Sequence, residues 1–274
     1  MTALPSKLGA RRRRRRIFLA VAVPLLILSL FGGLVALSRW SGITISTIEV
    51  EGASAVPEEE LIASTEGALR GNYLWLFPKG NIFLYPRRVA EQALRREFPT
   101  LRSADLSFVN LHTLLLSVEE RKLYALWCGM DAPGAASVHT AADQCLFLDE
   151  EGFLFPPEAD FTGAVYLRYY GGGNSTLGAP ILPPEEFKQL LAFVRELPAF
   201  SLAPVSVTLL PEKDVEVRLE SGSALLLSRN ADYAVTLDNL RSALSSDAFK
   251  EQPVHTLEYL DLRFGDRVFF KFKD

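Results

Sequence analysis

One stretch interrupts the mixture of apolar and polar positions that runs through the rest of the chain. Residues Ile17 to Leu37 read IFLAVAVPLLILSLFGGLVAL, twenty-one residues without a charge. At about 1.5 Å of rise per residue, such a helix reaches across a hydrocarbon core of roughly 30 Å. Pro24, Gly32 and Gly33 are costly in a soluble helix but tolerated in a membrane one. A cleaved signal peptide is the competing reading. Its apolar region is usually about 7–15 residues long, and Ala36-Leu37-Ser38 is a weak cleavage signal. The pattern predicts a membrane-spanning segment over 17–37.

Beyond it, strand and helix periods alternate. Ile45 to Glu51 is β-branched and ends at Gly52, which predicts a strand. Pro57 and three glutamates, Glu58 to Glu60, mark a helix start. Residues 71–84 are aromatic, broken by Gly and Pro, and predict an ordered loop packed on the core. Pro86 opens a second helix with Val89, Ala93 and Leu94 inward and Arg87, Arg88, Glu91, Arg95 and Arg96 wet. Strands follow at Ala104 to Val109 and Thr113 to Glu119, around the turn Asn110-Leu111-His112. The order β-α-α-β-β predicts a small α+β domain over 43–121.

The remainder, 122–274, is mostly β. Leu146 to Leu148 and Phe153 to Phe155 flank Asp149-Glu150-Glu151-Gly152, a hairpin loop. Ala164 to Tyr169 predicts a strand, followed by a turn at residues 170–175. Pro184 starts a helix with Phe187, Leu190, Leu191, Val194 and Leu197 on one face. Further strands are expected at 205–210, 215–219 and 224–227. A helix capped by Asn230 then carries Tyr233, Leu237, Leu240 and Leu244. Strands at 256–262 and 267–272 close the chain. The predicted class is α+β: one N-terminal transmembrane helix, a small domain, then a larger β-rich domain with helices on one face.

Charge assigns an orientation to this plan. The chain has 29 basic and 33 acidic residues, a net of −4. Seven basic groups, Lys7 and Arg11, Arg12, Arg13, Arg14, Arg15 and Arg16, lie in residues 1–37 with no acid among them. The rest holds 22 basic and 33 acidic groups, a balance of −11. Positive charge before the span puts residues 1–16 in the cytoplasm and the body outside it. Trp40 falls where an interfacial aromatic belongs. The acidic body excludes a nucleic-acid binder, and 49% apolar residues exclude a disordered chain.

Cys128 and Cys145 would both lie outside the cytoplasm, where a disulfide closing the Gly129 to Gln144 loop is expected. In the chain-entropy view that closure contributes roughly 3 kcal/mol. Two free thiols and a metal site with His139 and Asp143 are the alternatives. The spacing C-x10-H-x5-C matches no tight zinc-ligand pair. Catalytic chemistry is sparse. His112, His139 and His255 are scattered, and no G-x-S-x-G elbow occurs. Gly171 to Gly173 lack the Gly-Lys-Ser/Thr of a phosphate loop. Asn174-Ser175-Thr176 fits a glycosylation sequon. Neither an enzyme, a cofactor, a metal site nor a small-molecule substrate is expected, and a binding or scaffolding role is.

Several stretches in order resemble one family. They are Ile48-Glu49-Val50-Glu51-Gly52 with Val56 (I-x-V-x-G-x-x-x-V), Phe98-Pro99 with Ala104, and Val118-Glu119-Glu120-Arg121 with Ala125 and Trp127. Leu123 stands where the family's V-x-E-R-x-P-x-A-x-W has proline. Leu148-Asp149-Glu150-Glu151-Gly152 with Phe155 and Tyr259-Leu260-Asp261-Leu262-Arg263-Phe264 resemble its L-D-x-x-G-x-x-F and Y-V-D-L-R-Y. The small domain resembles a POTRA domain. Over about residues 17–272 the chain is similar to the FtsQ/DivIB family of bacterial cell-division proteins.

The resemblance implies a bitopic, non-enzymatic scaffold of the cytoplasmic (inner) membrane at the division septum. It would bind other bitopic division proteins of FtsB/FtsL type by strand addition, and the POTRA edge would offer a second docking surface. The implied interface is Tyr259 to Phe264, including Arg263, together with Arg267, Phe269, Phe270, Lys271 and Phe272. With the sequence ending at Asp274, no tail is expected to cover that strand. Phenylalanine at 264 removes the hydroxyl that the family's tyrosine carries. The 128–145 insertion is not part of the family pattern. A POTRA-containing envelope assembly or secretion factor and a membrane-anchored envelope hydrolase are the competing readings.

Overall fold

The computed structural model describes residues 7–129, 145–157, 166–171 and 176–273. The chain divides into two compact units, Met1–Glu120 and Arg121–Asp274. The first begins with helix α1 (Lys7–Ser38), 32 residues long. It starts ten residues before the apolar run, because the run Arg11 to Arg16 is made of good helix formers. Its segment Arg15–Ser38 has a mean hydropathy of 2.6. Among the described residues this is the one helix long and apolar enough to cross a membrane. No residue of its most apolar stretch is buried by the rest of the protein.

After α1 come β1 (Thr47–Glu51), α2 (Glu58–Leu69), β2 (Asn72–Tyr73), β3 (Phe77–Pro78), α3 (Arg87–Glu97), β4 (Leu101–Phe108) and β5 (Thr113–Glu120). The larger sheet of this unit is ordered β1-β5-β4. β1 runs parallel to β5, with Ile48 opposite Leu114 and Val50 opposite Leu116, while β4 and β5 are antiparallel. The Asn110 carboxamide oxygen accepts from the His112 and Thr113 N–H groups and closes the β4–β5 turn. Helix α2 buries Leu61, Thr65 and Leu69, one face at i, i+4 spacing. These meet Ala90, Leu94, Ala104, Leu106, Leu114 and Leu116 in one core.

Two expectations fail in this unit. Helix α3 turns Ala90, Glu91 and Leu94 inward and leaves Val89 exposed. Glu91 is buried because it accepts from the Leu106 N–H at 2.9 Å and from Arg87 Nε at 2.7 Å. Burial pushes its carboxyl up, but those bonds and the Arg87 and Arg95 charges outweigh burial and hold it below its ordinary value. The second failure is the 71–84 loop. Ile82 and Asn81 are buried, yet Leu74, Trp75 and Phe83 point away from the core. Leu74 and Trp75 form the tip of the β2–β3 hairpin with φ of 48° and 60°, which carries them outward.

Glu120 closes the unit. Its carboxylate accepts from the N–H groups of Ser54, Ala55 and Val56 at 2.9–3.1 Å and from the Ser54 hydroxyl. Gly52 enters the same turn at φ +88°, where an added Cβ would lie 2.2 Å from the Val118 carbonyl oxygen. Burial raises the Glu120 carboxyl, but the four hydrogen bonds outweigh it and the net shift is downward. A lowered native value means stability that is complete above about pH 4.5, the unfolded value, and lost as pH falls through the native one. Glu120→Gln should cost about 1–2 kcal/mol at pH 7. In denaturant titrations the gap from wild type should shrink at pH 3.

The second unit holds β6 (Ala125–Trp127), β7 (Leu146–Leu148), β8 (Leu154–Phe155), β9 (Arg168–Gly171), α4 (Pro184–Glu196), β10 (Pro204–Leu209), β11 (Asp214–Leu219) and β12 (Ala224–Ser228). Then come α5 (Tyr233–Leu244), α6 (Asp247–Glu251), β13 (Leu257–Phe264) and β14 (Arg267–Phe272). The nine strands form one mixed sheet, ordered β14-β13-β12-β11-β10-β9-β6-β7-β8. Phe187, Leu190, Phe193 and Val194 of α4 and Tyr233 and Leu240 of α5 pack on alternate strand residues such as Val207, Val215, Val217, Leu225 and Leu260. On the other face of β6 to β8, Leu126, Cys145, Phe147 and Phe155 form a smaller cluster. The Cys128 and Cys145 sulfurs are bonded, with Cα atoms 4.3 Å apart across neighbouring strands. Residues 130–144, with His139 and Asp143, lie outside the described residues, as do 172–175 of the turn and sequon.

Three local expectations change here. Helix α5 is capped by Asp232, which accepts from the Ala234 and Val235 N–H groups; Asn230 is not its cap. The strand expected over 164–169 is Arg168–Gly171, with 164 and 165 outside the described residues. Strand β6 and helix α6 are additional, at three and five residues too short for a period to show. The 146–155 hairpin has the expected loop. Asp149 Oδ1 accepts from the Glu151 and Phe153 N–H groups, and Gly152 sits at φ +78° with its Cα against Phe187. Buried Arg121 pairs with Asp149 and lies 3.6 Å from the Phe153 ring centre.

Candidate interaction edge of the large sheet

Two strands bound the nine-stranded sheet, β8 and β14. The β8 side is covered by its own chain. The Leu154 N–H donates to the Ala179 carbonyl, the Gly178 N–H to the Leu154 carbonyl, and Phe153 bridges Pro180. Strand β14 pairs with β13 in antiparallel fashion. Among the described residues, no other strand hydrogen-bonds to it. It therefore presents a row of N–H and C=O groups of the kind that template strand addition.

The expected interface shifts accordingly. Residues 259–264 are not an edge, because β13 lies between β12 and β14 and Tyr259 to Asp261 pair with Ala224 to Leu226. The side chains of β14 divide between two faces. Phe270 turns to the helix side, its ring 4.9 Å from Phe249 of α6 and 5.6 Å from Phe272. Val268 and Phe272 also pack against the core. Phe269 faces the other way, half exposed, and stands edge-on to Phe264 at 5.4 Å. Tyr259, Asp261, Phe264, Asp266, Arg267 and Phe269 line an open groove of about 680 Å³ on that helix-free face.

Arg263 lies beside the groove, with its guanidinium already engaged. Its Nε and Nη2 donate to the two oxygens of Asp261 at 2.9 and 2.7 Å, and its Nη1 donates to Asp214 at 2.6 Å. These bonds, to Asp261 first and Asp214 second, raise its pKa still further above the neutral range. The fork ties β13 to β11 and sits 5.5 Å from the Phe264 ring. Arg263 is thus a bracket that holds Phe264 in place rather than a free ligand. Lys271 pairs with Glu258, and Lys273 Nζ donates to the Ser221 carbonyl at 2.7 Å, latching the strand's end.

Of the residues expected at the interface, Tyr259, Phe264, Arg267 and Phe269 converge on one groove. Phe270 and Phe272 belong to the core side, and Arg263 and Lys271 are internally paired. Asp214, Glu258, Asp266 and Phe249 contribute without having been read from the sequence. The Asp261-x-Arg263 spacing puts two opposite charges on one face of a strand and signals their pairing. The distant Asp214 carries no such signal. No protein-family model matches the chain, and no curated protein matches it.

Proposed function

We propose that the chain is a non-enzymatic, membrane-anchored docking protein of the bacterial division machinery, of the FtsQ/DivIB type. In this reading α1 spans the cytoplasmic membrane with residues 1–16 inside, and both compact units face outward. The unit from β1 to β5 corresponds to a POTRA domain, in keeping with its β-α-α-β-β order once the small β2–β3 hairpin is set aside. A partner segment of another single-pass division protein, of FtsB or FtsL type, adds a strand alongside β14. Main-chain bonds supply affinity, and alternate side chains, including one seated on Phe264 and Phe269, supply specificity.

The observation that carries this reading is the open β14 edge with an apolar pair exposed beside it. In the smaller sheet, one edge is already occupied by side chains. The Glu91 carboxylate takes the outward Leu106 N–H of β4. That leaves β1 as the edge of the POTRA-like unit on which a second partner could dock. A fluorescent fusion should gather at midcell, and depletion should block septation and leave filaments. Uniform membrane fluorescence with normal septation on depletion would sink the division role.

A further inference from the structure

The β2–β3 hairpin has a tip that water does not favour. Leu74 is 83% exposed and Trp75 89%. Both hold φ in the left-handed region, where glycine or asparagine would suit a solvated turn far better. Nothing in the core rewards two bulky apolar residues there. Phe83 and Trp40 nearby are exposed as well.

The hairpin is fixed against the apolar helix. Arg39, at the end of α1, donates through Nε to the Leu76 carbonyl at 3.1 Å and through Nη2 to the Trp75 carbonyl at 3.0 Å. Asn81 Nδ2 donates to the Ser38 carbonyl at 2.8 Å. Phe77 meets Phe31 edge-on at 6.1 Å between ring centres. Phe31 lies seven residues before Ser38, about 10 Å down the helix axis and inside the apolar segment. Any medium that surrounds the end of that segment also reaches the hairpin. Residues 70–90 carry Arg70, Lys79, Arg87 and Arg88; Arg70 lies near Glu66 and Arg87 pairs with Glu91, so Lys79 and Arg88 are the flank that suits phosphate headgroups.

We propose that the Tyr73 to Leu76 tip is a second membrane contact, seated in the interfacial layer of the outer leaflet beside the anchor. Trp75 lies among headgroups and upper acyl chains, as interfacial tryptophans do. The contact fixes the tilt of the membrane-proximal unit on the bilayer. This rests on the reading of α1 as a membrane span, and the test separates the two.

Full-length protein is reconstituted into vesicles of phosphatidylcholine and phosphatidylglycerol, with and without lipids brominated near the top of the acyl chains. The three tryptophans are Trp40, Trp75 and the buried Trp127. Bromolipid quenching is compared among wild type, Trp75→Phe and Trp40→Phe. Loss of Trp75 should remove a quenched component at least half as large as loss of Trp40 removes. If only Trp40→Phe lowers the quenching, the anchor stands and the hairpin contact is wrong. If neither does, both the span and the contact fall. If Trp75 is shielded from aqueous iodide but not quenched by bromolipid, a protein covers the tip and the lipid contact is overturned.

Discussion

Phe269→Glu should weaken copurification of the proposed partner by roughly thirtyfold, the equivalent of about 2 kcal/mol for one central apolar anchor. Phe269 is half exposed and meets Phe264 on the helix-free face, so a glutamate there stays solvated in the unbound protein. Its unfolding free energy should stay within the narrow range typical of surface substitutions, about ±0.5 kcal/mol of wild type. On binding, the same carboxylate would have to be desolvated against the incoming strand. Phe270→Glu makes an instructive contrast. That ring, about one-third exposed, packs on Phe249 and Phe272, so a glutamate there loses those aromatic contacts and destabilises the fold itself. Lost binding with an unchanged melt at 269, and a lowered melt at 270, is the expected pair of results. Unchanged binding by Phe269→Glu would move the interface away from this groove.

Arg121→Ala should destabilise the second unit by about 3–5 kcal/mol, the cost of leaving one member of a buried ion pair behind. The side chains of Arg121 and Asp149 are each only 7% exposed. Arg121 also stacks on Phe153 and lies 3.6 Å from a Glu151 oxygen. Asp149 in turn shapes the hairpin by accepting two backbone N–H bonds. Removing the guanidinium leaves a carboxylate in a site built for an ion pair and opens a void over an aromatic ring. Arg121→Lys should recover only part of the loss, because an ammonium cannot stack flat on Phe153 as the guanidinium does. Thermal unfolding of the purified chain measures both. A melt unchanged by Arg121→Ala would show that the pair contributes nothing and that the hairpin is held by its backbone bonds alone.

Much of the fold was legible because long elements carry a period. Helix α4 and strands β10 to β12 repeat apolar residues at helical or alternating spacing. The glutamates after Pro57 announce the start of α2. Motif residues were legible as a pattern but silent about their work. Glu120 and Arg121, adjacent in V-x-E-R, serve different units: one caps the Ser54 to Val56 turn, the other anchors the 146–155 hairpin. Short elements were not legible. Three residues of β6 show no period, and α6 has fewer than two turns.

Polar burial misled the reading of α3. A glutamate on a helix reads as solvated unless its acceptor role is known, and the N–H it satisfies lies on a strand fifteen residues on. The candidate site was legible to the nearest strand. Sequence marks 256–262 and 267–272 as late strands, but which of them is outermost depends on pairing between β12 and β13, across the α5 and α6 segment. Face assignment within β14 was equally hidden. Phe269, Phe270 and Phe272 look alike in a run of aromatics until Phe249 is placed beneath two of them.

The central claim is that a partner strand pairs with β14, and backbone amide exchange reads that pairing directly. Full-length protein would be compared alone and in the complex isolated with the partner proposed above, followed by peptide-resolved hydrogen exchange. Outward-facing amides of residues 267–272 should exchange rapidly in the protein alone and become strongly protected in the complex, while α5 stays unchanged. Protection that appears on another element and leaves 267–272 as fast as before would contradict the account.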